Sequence, residues 1–374
     1  MIPIVDLKRQ YKQTGEEIEK AVVDVLRSGA YILGPNTKAL EQEFSQYLGT
    51  KHAIGLNSGT DALHLALRAL DIGKGDEVIT VAFTFVATTE SIEIVGATPV
   101  FVDIDPDTFN MDVTQIEDKI TPRTKAIMPV HLYGQPADMD VIMDIAKRHN
   151  LYVIEDCCQA VGAEYKGKKV GSFGDIGAYS FFPTKNLGGM GDGGMAVTNS
   201  DFLKDRMIAL RNHGGAVRYH HDEIGVNSRL DEIQSAILRV KMNYIDEWNK
   251  MRREVAHRYT ELFKDCEDVI TPKELDDTYC VYHQYTIKVP NRDAVQKMLQ
   301  ENGVGAMLYY PIPLHMQKVH AHLGYKMGDL PKTEYNTQHV MSLPMFAELT
   351  PEEQKEIATK VKDAIAKSKE TANC

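Results

Sequence analysis

Residues 180–194 read SFFPTKNLGGMGDGG, an apolar run that leads into a proline- and glycine-rich loop with one lysine, Lys185. The stretch 178–182 is largely apolar, which predicts a strand that ends as the loop begins. A lysine fixed at the rim of an apolar sheet is desolvated toward its neutral form, and a neutral amine can attack a carbonyl to form an imine. Most lysines near glycines are solvated surface residues, so the loop predicts chemistry only together with partner residues.

An acidic residue follows a strand predicted upstream. Residues 151–154 read LYVI, a continuous apolar run typical of a strand buried on both faces of a parallel sheet, and Glu155 and Asp156 end it. Ligands of open α/β sheets lie outside the carboxyl ends of the strands, so we expect Asp156 to face the same crevice as Lys185. A carboxylate opposite an aromatic nitrogen keeps that nitrogen protonated. An imine-forming lysine with such an acid is the protein environment expected for pyridoxal phosphate (PLP).

A third segment predicts an anion site. Residues 53–57 read as a strand, Ser58, Gly59 and Thr60 as a tight turn, and residues 61–70 as a helix. The free N–H groups of the first helical turn, the positive end of the helix dipole and the two hydroxyls converge there, which suits a phosphate. The same pattern also fits an ordinary helix cap, which is the commoner case for a lone Ser or Thr.

Strand-like and helical segments alternate through the first half of the chain, which predicts βαβ units and a mostly parallel sheet. The clearest strands are residues 77–81, 99–103, 126–130 and 178–182. Residues 230–262 predict one long amphipathic helix that joins two domains. Beyond it, residues 282–289 alternate like an antiparallel strand, and a helix follows. We therefore expect an α/β protein with a large domain, residues 1–240, and a smaller C-terminal α+β domain, residues 241–374.

Composition narrows the class of protein. The chain has 374 residues, 43% of them hydrophobic and 25% charged, as in ordinary soluble proteins. A formal charge of −11 argues against nucleic acid and anionic membrane surfaces as partners. The cysteines follow neither a disulfide framework nor a zinc-ligand spacing, so we expect no metal, and reduced thiols in the cytoplasm. No signal peptide and no membrane span are expected either.

Five motifs in order resemble those of the nucleotide-sugar aminotransferases of the DegT/DnrJ/StrS family, which are PLP enzymes. They are SGTDAL at 58–63, EDCCQA at 155–160, SF at 180–181 with KNLG at 185–188, GDGG at 191–194 and GVNSRL at 225–230. Several motifs in the right order are far more specific than any one of them. The resemblance implies the PLP transferase fold type I, a mostly parallel central sheet flanked by helices. It also implies PLP as the cofactor, which alternates with pyridoxamine phosphate.

The same resemblance implies roles around the cofactor ring. Lys185 would hold PLP as an imine and act as general base, and a family branch with histidine at this position performs deoxygenation, so lysine favours amino transfer. Asp156 would pair with the pyridine nitrogen, and Gln159 would hydrogen-bond the ring hydroxyl. Phe85 would stack on the ring face. Phe83 is the adjacent aromatic candidate and is expected in the core.

At the other end of the cofactor, the resemblance implies that Ser58, Gly59, Thr60 and Ser180 hold the phosphate. Asn227 resembles an asparagine that reaches this phosphate from the partner subunit. The expected assembly is therefore a homodimer with shared active sites.

Substrate contacts are less sharply defined. Three segments are similar to members that aminate carbon 3 of a 3-keto-sugar: residues 1–11, 28–35 and 130–139. Tyr31 in the second segment is a candidate substrate contact, as are Tyr310 and His315 in the stretch YYPIPLH. The stretch around His131 fits equally well a strand end and turn that touches no substrate.

The function predicted is PLP-dependent transfer of an amino group from an amino acid, with L-glutamate expected, to a keto group of a nucleotide-diphosphate sugar. Such a reaction belongs to polysaccharide, lipopolysaccharide or deoxyaminosugar biosynthesis. Amination at carbon 4 and PLP-dependent dehydration of the sugar stay open as alternatives. A binding module without activity would need a broken catalytic set, whereas Lys185, Asp156 and Gln159 are all present. The sequence does not name the nucleotide or the sugar, because loops and a neighbouring subunit shape the pocket.

Overall fold

The computed structural model describes residues 1–215, 217 and 219–372; Cys374 lies outside them. The α-helices are Leu7–Ser28 (α1), Pro35–Leu48 (α2), Gly59–Ala69 (α3), Ala87–Ile94 (α4), Met139–His149 (α5), Asp201–Arg211 (α6), Glu232–Met242 (α7), Ile245–Phe263 (α8), Arg292–Glu301 (α9), Pro331–His339 (α10) and Pro351–Ala372 (α11). The strands are His52–Leu56 (β1), Glu77–Val81 (β2), Thr98–Val102 (β3), Thr124–Ile127 (β4), Tyr152–Asp156 (β5), Glu164–Tyr165 (β6), Lys168–Lys169 (β7), Ile176–Ser180 (β8), Gly194–Thr198 (β9), Thr278–Tyr279 (β10), Tyr285–Lys288 (β11) and Val340–Leu343 (β12). Among these residues no helix combines the length and the apolar character needed to cross a bilayer.

A seven-stranded sheet has the order β1-β9-β8-β5-β4-β2-β3. Strands β3, β2, β4, β5 and β8 pair in parallel, and β9 runs antiparallel to both of its neighbours. Helices pack against its strands, α3 on β8 and α5 on β4 among them. The mostly parallel sheet flanked by helices predicted from the sequence is confirmed.

The direction of the strands brings three chain segments to one edge of the sheet. Strands β1 and β8 are both antiparallel to β9, so they run the same way as β5. Their carboxyl ends therefore meet at one edge, where β5 ends at Asp156, β8 ends at Ser180 and α3 begins at Gly59. This edge holds the three segments that the sequence singles out.

Two predicted strands are displaced along the chain. The strand expected at 126–130 ends at Ile127, and the one expected at 178–182 ends at Ser180. In both cases the chain stays buried beyond the last ladder residue, since Met128 and Phe181 are 0% exposed. Apolar content therefore extends past the strand, and Pro129 cannot donate a ladder hydrogen bond.

The C-terminal part builds a second core around the antiparallel pair of β11 and β12. Tyr259, Ile287, Leu343 and Val361 lie in this core, and Ile2 packs with them. Ile2 also forms a bridge with Val304, so the first residues of the chain join its last part. The boundary expected between the large and the small domain, between residues 240 and 241, stays a prediction.

The single helix expected over 230–262 is wrong, because the structure has two helices, α7 and α8. Asn243 and Tyr244 donate to the carbonyls of Val240 and Lys241 at 3.2 and 3.0 Å, in tight turns that replace the regular helical pattern. Helix α7 packs on α1 and α2, whereas α8 packs on α11. Periodicity missed the break because apolar spacing continues across it.

Candidate active site

A cavity of about 380 Å³ opens at the carboxyl edge of the central sheet. It is lined by most of the side chains predicted for the site, namely Ser58, Gly59, Thr60, Phe85, Asp156, Gln159, Ser180, Lys185 and Tyr310. The elements that carry them are far apart in the sequence and meet only through the sheet topology. The structure therefore brings nine of the predicted residues together.

Lys185 lies on the loop between β8 and β9. Its backbone N–H donates to the carbonyl of Phe182 at 2.8 Å, which closes a turn directly after the strand. Desolvation by burial lowers the pKa of the Lys185 amine, and the nearby Cys158 and Asp156 oppose that shift. The amine is thus held closer to its neutral, nucleophilic form than a surface lysine.

The next residue, Asn186, anchors the lysine loop through hydrogen bonds of its side chain. Its Nδ2 donates to Asn249 Oδ1 at 2.8 Å and to the carbonyl of Val281 at 3.0 Å. Its Oδ1 lies 3.2 Å from Nδ1 of His283, a cavity residue. Burial, together with Lys185 and Arg252, places the pKa of His283 well below its ordinary value, so the ring is neutral. These contacts tie the lysine loop to α8 and to the segment before β11.

Asp156 ends β5 and is 5% exposed. Thr88 Oγ1 donates to one carboxylate oxygen at 2.8 Å, and the backbone N–H of Cys158 donates to the other at 3.2 Å. The two donors fix the plane of the carboxylate at the cavity wall. Burial raises the pKa of the Cys158 thiol well above its usual range, which agrees with packing rather than nucleophilic chemistry for that residue.

Gln159 bridges two aromatic residues. Its Oε1 accepts from the backbone N–H of Tyr133 at 2.8 Å, and its Nε2 donates to Tyr310 Oη at 3.1 Å. Tyr133 in turn donates its hydroxyl to the carbonyl of Tyr309. Burial raises the pKa of Tyr310, so its hydroxyl stays protonated. The network joins the end of β5 to the C-terminal part of the chain.

The first turn of α3 packs directly on the end of β8. Ser58 Oγ accepts from the N–H of Asp61 at 3.1 Å, the ordinary cap that the sequence pattern also allows. A Cβ on Gly59 would come within 2.7 Å of Ser180 Cβ and 2.8 Å of Cys158 Sγ, closer than real carbon atoms approach. Glycine is therefore required there, and its absence of a side chain leaves Thr60 and Ser180 side by side on the cavity wall.

Phe85 and Phe83 differ in exposure because both follow the end of β2 at Val81, where the alternation of a strand, which places residues two apart on the same face, no longer holds. Phe85 is 54% exposed at the cavity, with its ring centroid 6.2 Å from that of Tyr310. Phe83 is fully buried and stacks on Phe109 at 5.8 Å, so its expected place in the core is confirmed.

Three candidate residues do not line this cavity. His315 is buried, with Nε2 3.1 Å from Glu334 Oε1. Tyr31 is 49% exposed and donates to the carbonyl of Leu26. Asn227 is exposed and forms an isolated bridge with Asn212. Within a single chain His315 and Tyr31 lie outside this cavity, so their contacts with substrate stay predictions, as does the role of Asn227 in a partner's site.

The surroundings of His131 favour a structural role over a contact with substrate. It is 0% exposed, its Nδ1 accepts from the N–H of Ala137 at 3.0 Å, and its Nε2 lies 3.2 Å from Glu155 Oε2. The Glu155 carboxylate also accepts from three backbone N–H groups of residues 171–174. With Cys157 these two side chains form a compact buried cluster, which braces the turn after β7.

Sequence patterns missed part of the cavity wall. Thr88, Tyr133, His283, Gln284 and Tyr309 line it, although none of them was named as a candidate. Tyr133 and Tyr309 lie in segments that resemble the family, 130–139 and YYPIPLH, and Tyr133 has a positive φ of 56°, which a local turn pattern could have suggested. Thr88, His283 and Gln284 give no local signal, because only the tertiary fold places them at this edge.

The side chains fit PLP. A desolvated amine, a buried carboxylate, an exposed aromatic face and a helix N-terminus with hydroxyls surround one cavity, and these are the donor types that such a cofactor needs. Lys185 would hold the aldehyde, Asp156 the ring nitrogen and the first turn of α3 the phosphate.

Comparison with known protein sequences gives independent evidence about the family of this chain. The chain is 52% identical over 362 residues to the pleiotropic regulatory protein of Geobacillus stearothermophilus, covering 96% of this chain and 97% of the relative. It is 49% identical over 361 residues to the UDP-N-acetyl-3-dehydro-alpha-D-glucosamine 3-aminotransferase of Acidithiobacillus ferrooxidans, covering 96% and 97%. It is 42% identical over 344 residues to the dTDP-3-amino-3,4,6-trideoxy-alpha-D-glucose transaminase of Streptomyces venezuelae, covering 92% and 91%.

Comparison with solved structures points to the same family. S. venezuelae DesV, determined in complex with a ketimine intermediate, superposes with a TM-score of 0.95 at 40% identity, covering 97% of this chain and 98% of that one. The sugar aminotransferase Spr1654 of Streptococcus pneumoniae, described as putative, matches in its PMP form with a TM-score of 0.91 at 29% identity, covering 96% and 97%. Its PLP form matches with a TM-score of 0.89 at 30% identity, covering 94% and 97%. The profile of the DegT/DnrJ/EryC1/StrS aminotransferases matches residues 12–362, and the chain belongs to this family.

Proposed function

We propose that the protein transfers an amino group from an amino acid, with L-glutamate as the expected donor, to carbon 3 of a nucleotide-diphosphate keto-sugar, with PLP as its cofactor. The observation that carries the proposal is the desolvated amine of Lys185 in one cavity with Asp156. The names of the A. ferrooxidans and S. venezuelae relatives both specify an amino group at carbon 3 of a nucleotide-linked sugar, which supports that position.

When bound, PLP supplies a protonated ring that withdraws electrons from the carbon bearing the substrate nitrogen. Asp156, which is fixed by Thr88 and Cys158, would pair with the ring nitrogen and keep it protonated. Lys185 accepts at Nζ the proton that leaves the substrate carbon and returns a proton in the reverse direction. Accepting the proton needs the neutral amine, which the lowered pKa of Lys185 favours, and the ammonium formed in that step is the species that returns a proton.

The remaining residues orient the reactants. Thr60, Ser180 and the N–H groups at the start of α3 would hold the phosphate, and Phe85 would cover one ring face. The backbone N–H of Tyr133 fixes the side chain of Gln159, whose amide would hydrogen-bond the ring hydroxyl. Such fixed positions hold the reacting groups in line and lower the entropy cost of the reaction.

A product analysis tests the reaction. Purified holoenzyme is incubated with L-glutamate and a panel of 3-keto and 4-keto nucleotide sugars, and the products are weighed by mass spectrometry. We expect an amino sugar from a 3-keto substrate with one equivalent of 2-oxoglutarate, and no product from Lys185→Ala. Amino sugar from 4-keto substrates alone would move the reaction to carbon 4, and a deoxy product without 2-oxoglutarate would replace amino transfer by dehydration.

We also propose that the active protein is a cytoplasmic homodimer that serves polysaccharide, lipopolysaccharide or deoxyaminosugar biosynthesis. Asn227 is exposed and lies away from the cavity of its own chain, as expected for a residue that serves a partner's site. Cys157, Cys158, Cys266 and Cys280 are free thiols, which suits a reducing compartment. The division at residue 240 into a cofactor-binding and a smaller domain belongs to the same proposal.

A further inference from the structure

Gln284 combines burial with an unused hydrogen-bonding group. The residue lies just before β11, is 7% exposed, and lines the candidate active-site cavity. Its Oε1 is buried and has no hydrogen-bond partner among the described residues. Buried polar atoms in native proteins are nearly always paired, so an orphan atom at a cavity wall marks a place where a ligand supplies the partner.

The backbone on either side of Gln284 is held in place. The N–H of His283 donates to the carbonyl of Tyr133 at 2.7 Å. Tyr285 pairs with Leu343 in the ladder of β11 and β12, and its hydroxyl lies 2.9 Å from Thr260 Oγ1. The amide of Gln284 is therefore presented from a fixed segment, as a specificity-determining group requires.

The side of the cavity on which Gln284 lies indicates which ligand it meets. The residues assigned to the phosphate, the ring nitrogen and the ring hydroxyl come from the central sheet and its connections. Gln284 belongs instead to the wall that the C-terminal part of the chain contributes to this cavity, together with Tyr309 and Tyr310. This wall is left for the part of the substrate that extends away from the cofactor.

The chemistry of the orphan atom selects the substrate. An amide oxygen accepts hydrogen bonds, so it needs a donor. The carboxylates of glutamate are acceptors, and its ammonium is the reacting group. A sugar ring, in contrast, carries hydroxyl groups, and the substrate in the name of the A. ferrooxidans relative also carries an acetylated amine.

We propose that Gln284 is a specificity-determining residue for the sugar, whose Oε1 accepts a hydrogen bond from a hydroxyl or acylamino N–H group of the nucleotide-linked keto-sugar. The proposal rests on the proposed function, since it names the second substrate of that reaction. It predicts an effect on the sugar half-reaction alone.

The test replaces Gln284 by methionine, which keeps the length of the side chain and removes the amide. We expect KM for the 3-keto nucleotide sugar to rise about 10-fold, the size of one lost hydrogen bond. The rate at which L-glutamate converts the cofactor, followed by its absorbance, should stay within about twofold. Titration calorimetry of the holoenzyme with the amino-sugar product should show the same loss of affinity.

Gln135→Met is the matched control. Gln135 is also buried with an unpartnered Oε1, but it lies outside the cavity, and its Nε2 donates to Thr278 Oγ1 at 3.1 Å. Its replacement is expected to lower the melting temperature and to leave KM for the sugar unchanged. Loss of sugar affinity in the control would assign the effect of Gln284→Met to general destabilisation and overturn the proposal.

Substrate analogues keep the test decisive if Gln284→Met is unstable. Nucleotide sugars that lack one hydroxyl, or carry an N-methylated acylamino group, remove the donors one at a time. Wild-type holoenzyme should lose affinity for one analogue, and Gln284→Asn, which withdraws the amide by one methylene, should not discriminate against it. Equal discrimination in both proteins, or an unchanged KM in folded Gln284→Met, would overturn the proposal. Failure of the wild-type protein to aminate any keto-sugar would instead overturn the proposed function.

Discussion

Lys185 acquires its chemistry from its place in the fold. Burial lowers the pKa of its amine while Asp156, held by Thr88 and Cys158, keeps a compensating charge nearby. Burial favours the neutral amine, and the nearby carboxylate favours the ammonium. The amine can therefore lose its proton while the carboxylate stays in the site. A lysine at this position without these surroundings would not have this property.

A second buried lysine, Lys241, gives a pH-dependent prediction. It is 3% exposed, donates to the carbonyl of Gly188 at 2.7 Å, and burial lowers its pKa from 10.5 to about 8. Between these values the unfolded chain binds a proton that the folded chain does not, so the free energy of unfolding rises with pH through this window. Lys241→Met lacks this term. Urea unfolding at pH 7 and pH 10 should show the wild type gaining on the order of 1–3 kcal/mol relative to the variant. A difference that stays constant over this range would contradict the lowered pKa of Lys241 in the folded state.

Gly59 provides a steric prediction. Because a Cβ there would meet Ser180 Cβ at 2.7 Å, Gly59→Ala should push α3 off the end of β8. We expect a loss of about 1–3 kcal/mol in the free energy of unfolding and weaker binding of PLP, measured by urea titration and by fluorescence. Gly73→Ala is the control, since its nearest neighbour, the carbonyl of Val95, lies at 3.4 Å and permits ordinary contact. Equal effects of the two substitutions would rule out the close approach of α3 to β8.

At the scale of elements, α7 supports the loop that carries the reactive lysine. Gln234 Oε1 accepts from the N–H of Met190 at 2.8 Å, and Lys241, about two turns further along the same face, donates to the carbonyl of Gly188. A Cβ on Gly189 or Gly191 would come within 2.8 Å of the Gln234 amide, so glycine at these two positions leaves room for the contact between helix and loop. The loop is thus shaped by a helix that follows it in sequence by about 40 residues.

Gln234→Leu should therefore act on catalysis through the loop. Without its acceptor, the N–H of Met190 loses its partner and the position of Lys185 becomes less defined. We expect kcat to fall roughly 10-fold with little change in KM, together with faster hydrogen exchange in residues 186–194. Arg239→Gln on the same helix breaks an ion pair with Glu43 that is partly exposed, and should leave both measurements unchanged. Unaltered exchange in Gln234→Leu would mean that α7 does not hold the loop.

Local elements were the predictable part of this site. The strands that end at Asp156 and Ser180 and the helix that starts after Ser58 follow from short apolar runs and turn residues, which act within a few positions. The break between α7 and α8 was missed, because side-chain periodicity continues through Asn243 and Tyr244 while the backbone bonds change. Boundaries depend on the backbone, and patterns of side chains report it only indirectly.

For the whole molecule, the cavity is completed by residues from the C-terminal part of the chain, most of which no sequence pattern singles out. His283, Gln284, Tyr309 and Tyr310 reach the edge of the central sheet from the C-terminal part of the chain. Tyr310 alone could be named beforehand, through its resemblance to a family stretch. The others depend on how two parts of the chain pack, which is a property of the complete fold.

Shared active sites give a prediction at the scale of the assembly. If Lys185 of one chain works with Asn227 of another, inactive Lys185→Ala and impaired Asn227→Ala proteins should complement each other. Refolding a mixture should produce heterodimers with one intact site and restore about a quarter of the wild-type activity. Differently tagged subunits and light scattering establish that heterodimers form. Heterodimers without restored activity would show that each site lies within one chain.

Borohydride reduction tests the central claim most directly. Holoenzyme is treated with borohydride, digested and mapped by mass spectrometry, with Lys185→Ala treated in parallel. The reduced cofactor should appear on the peptide that contains Lys185 and on no peptide of the variant. A label on another lysine, or an unlabelled Lys185 peptide from protein that still binds PLP, would contradict the account.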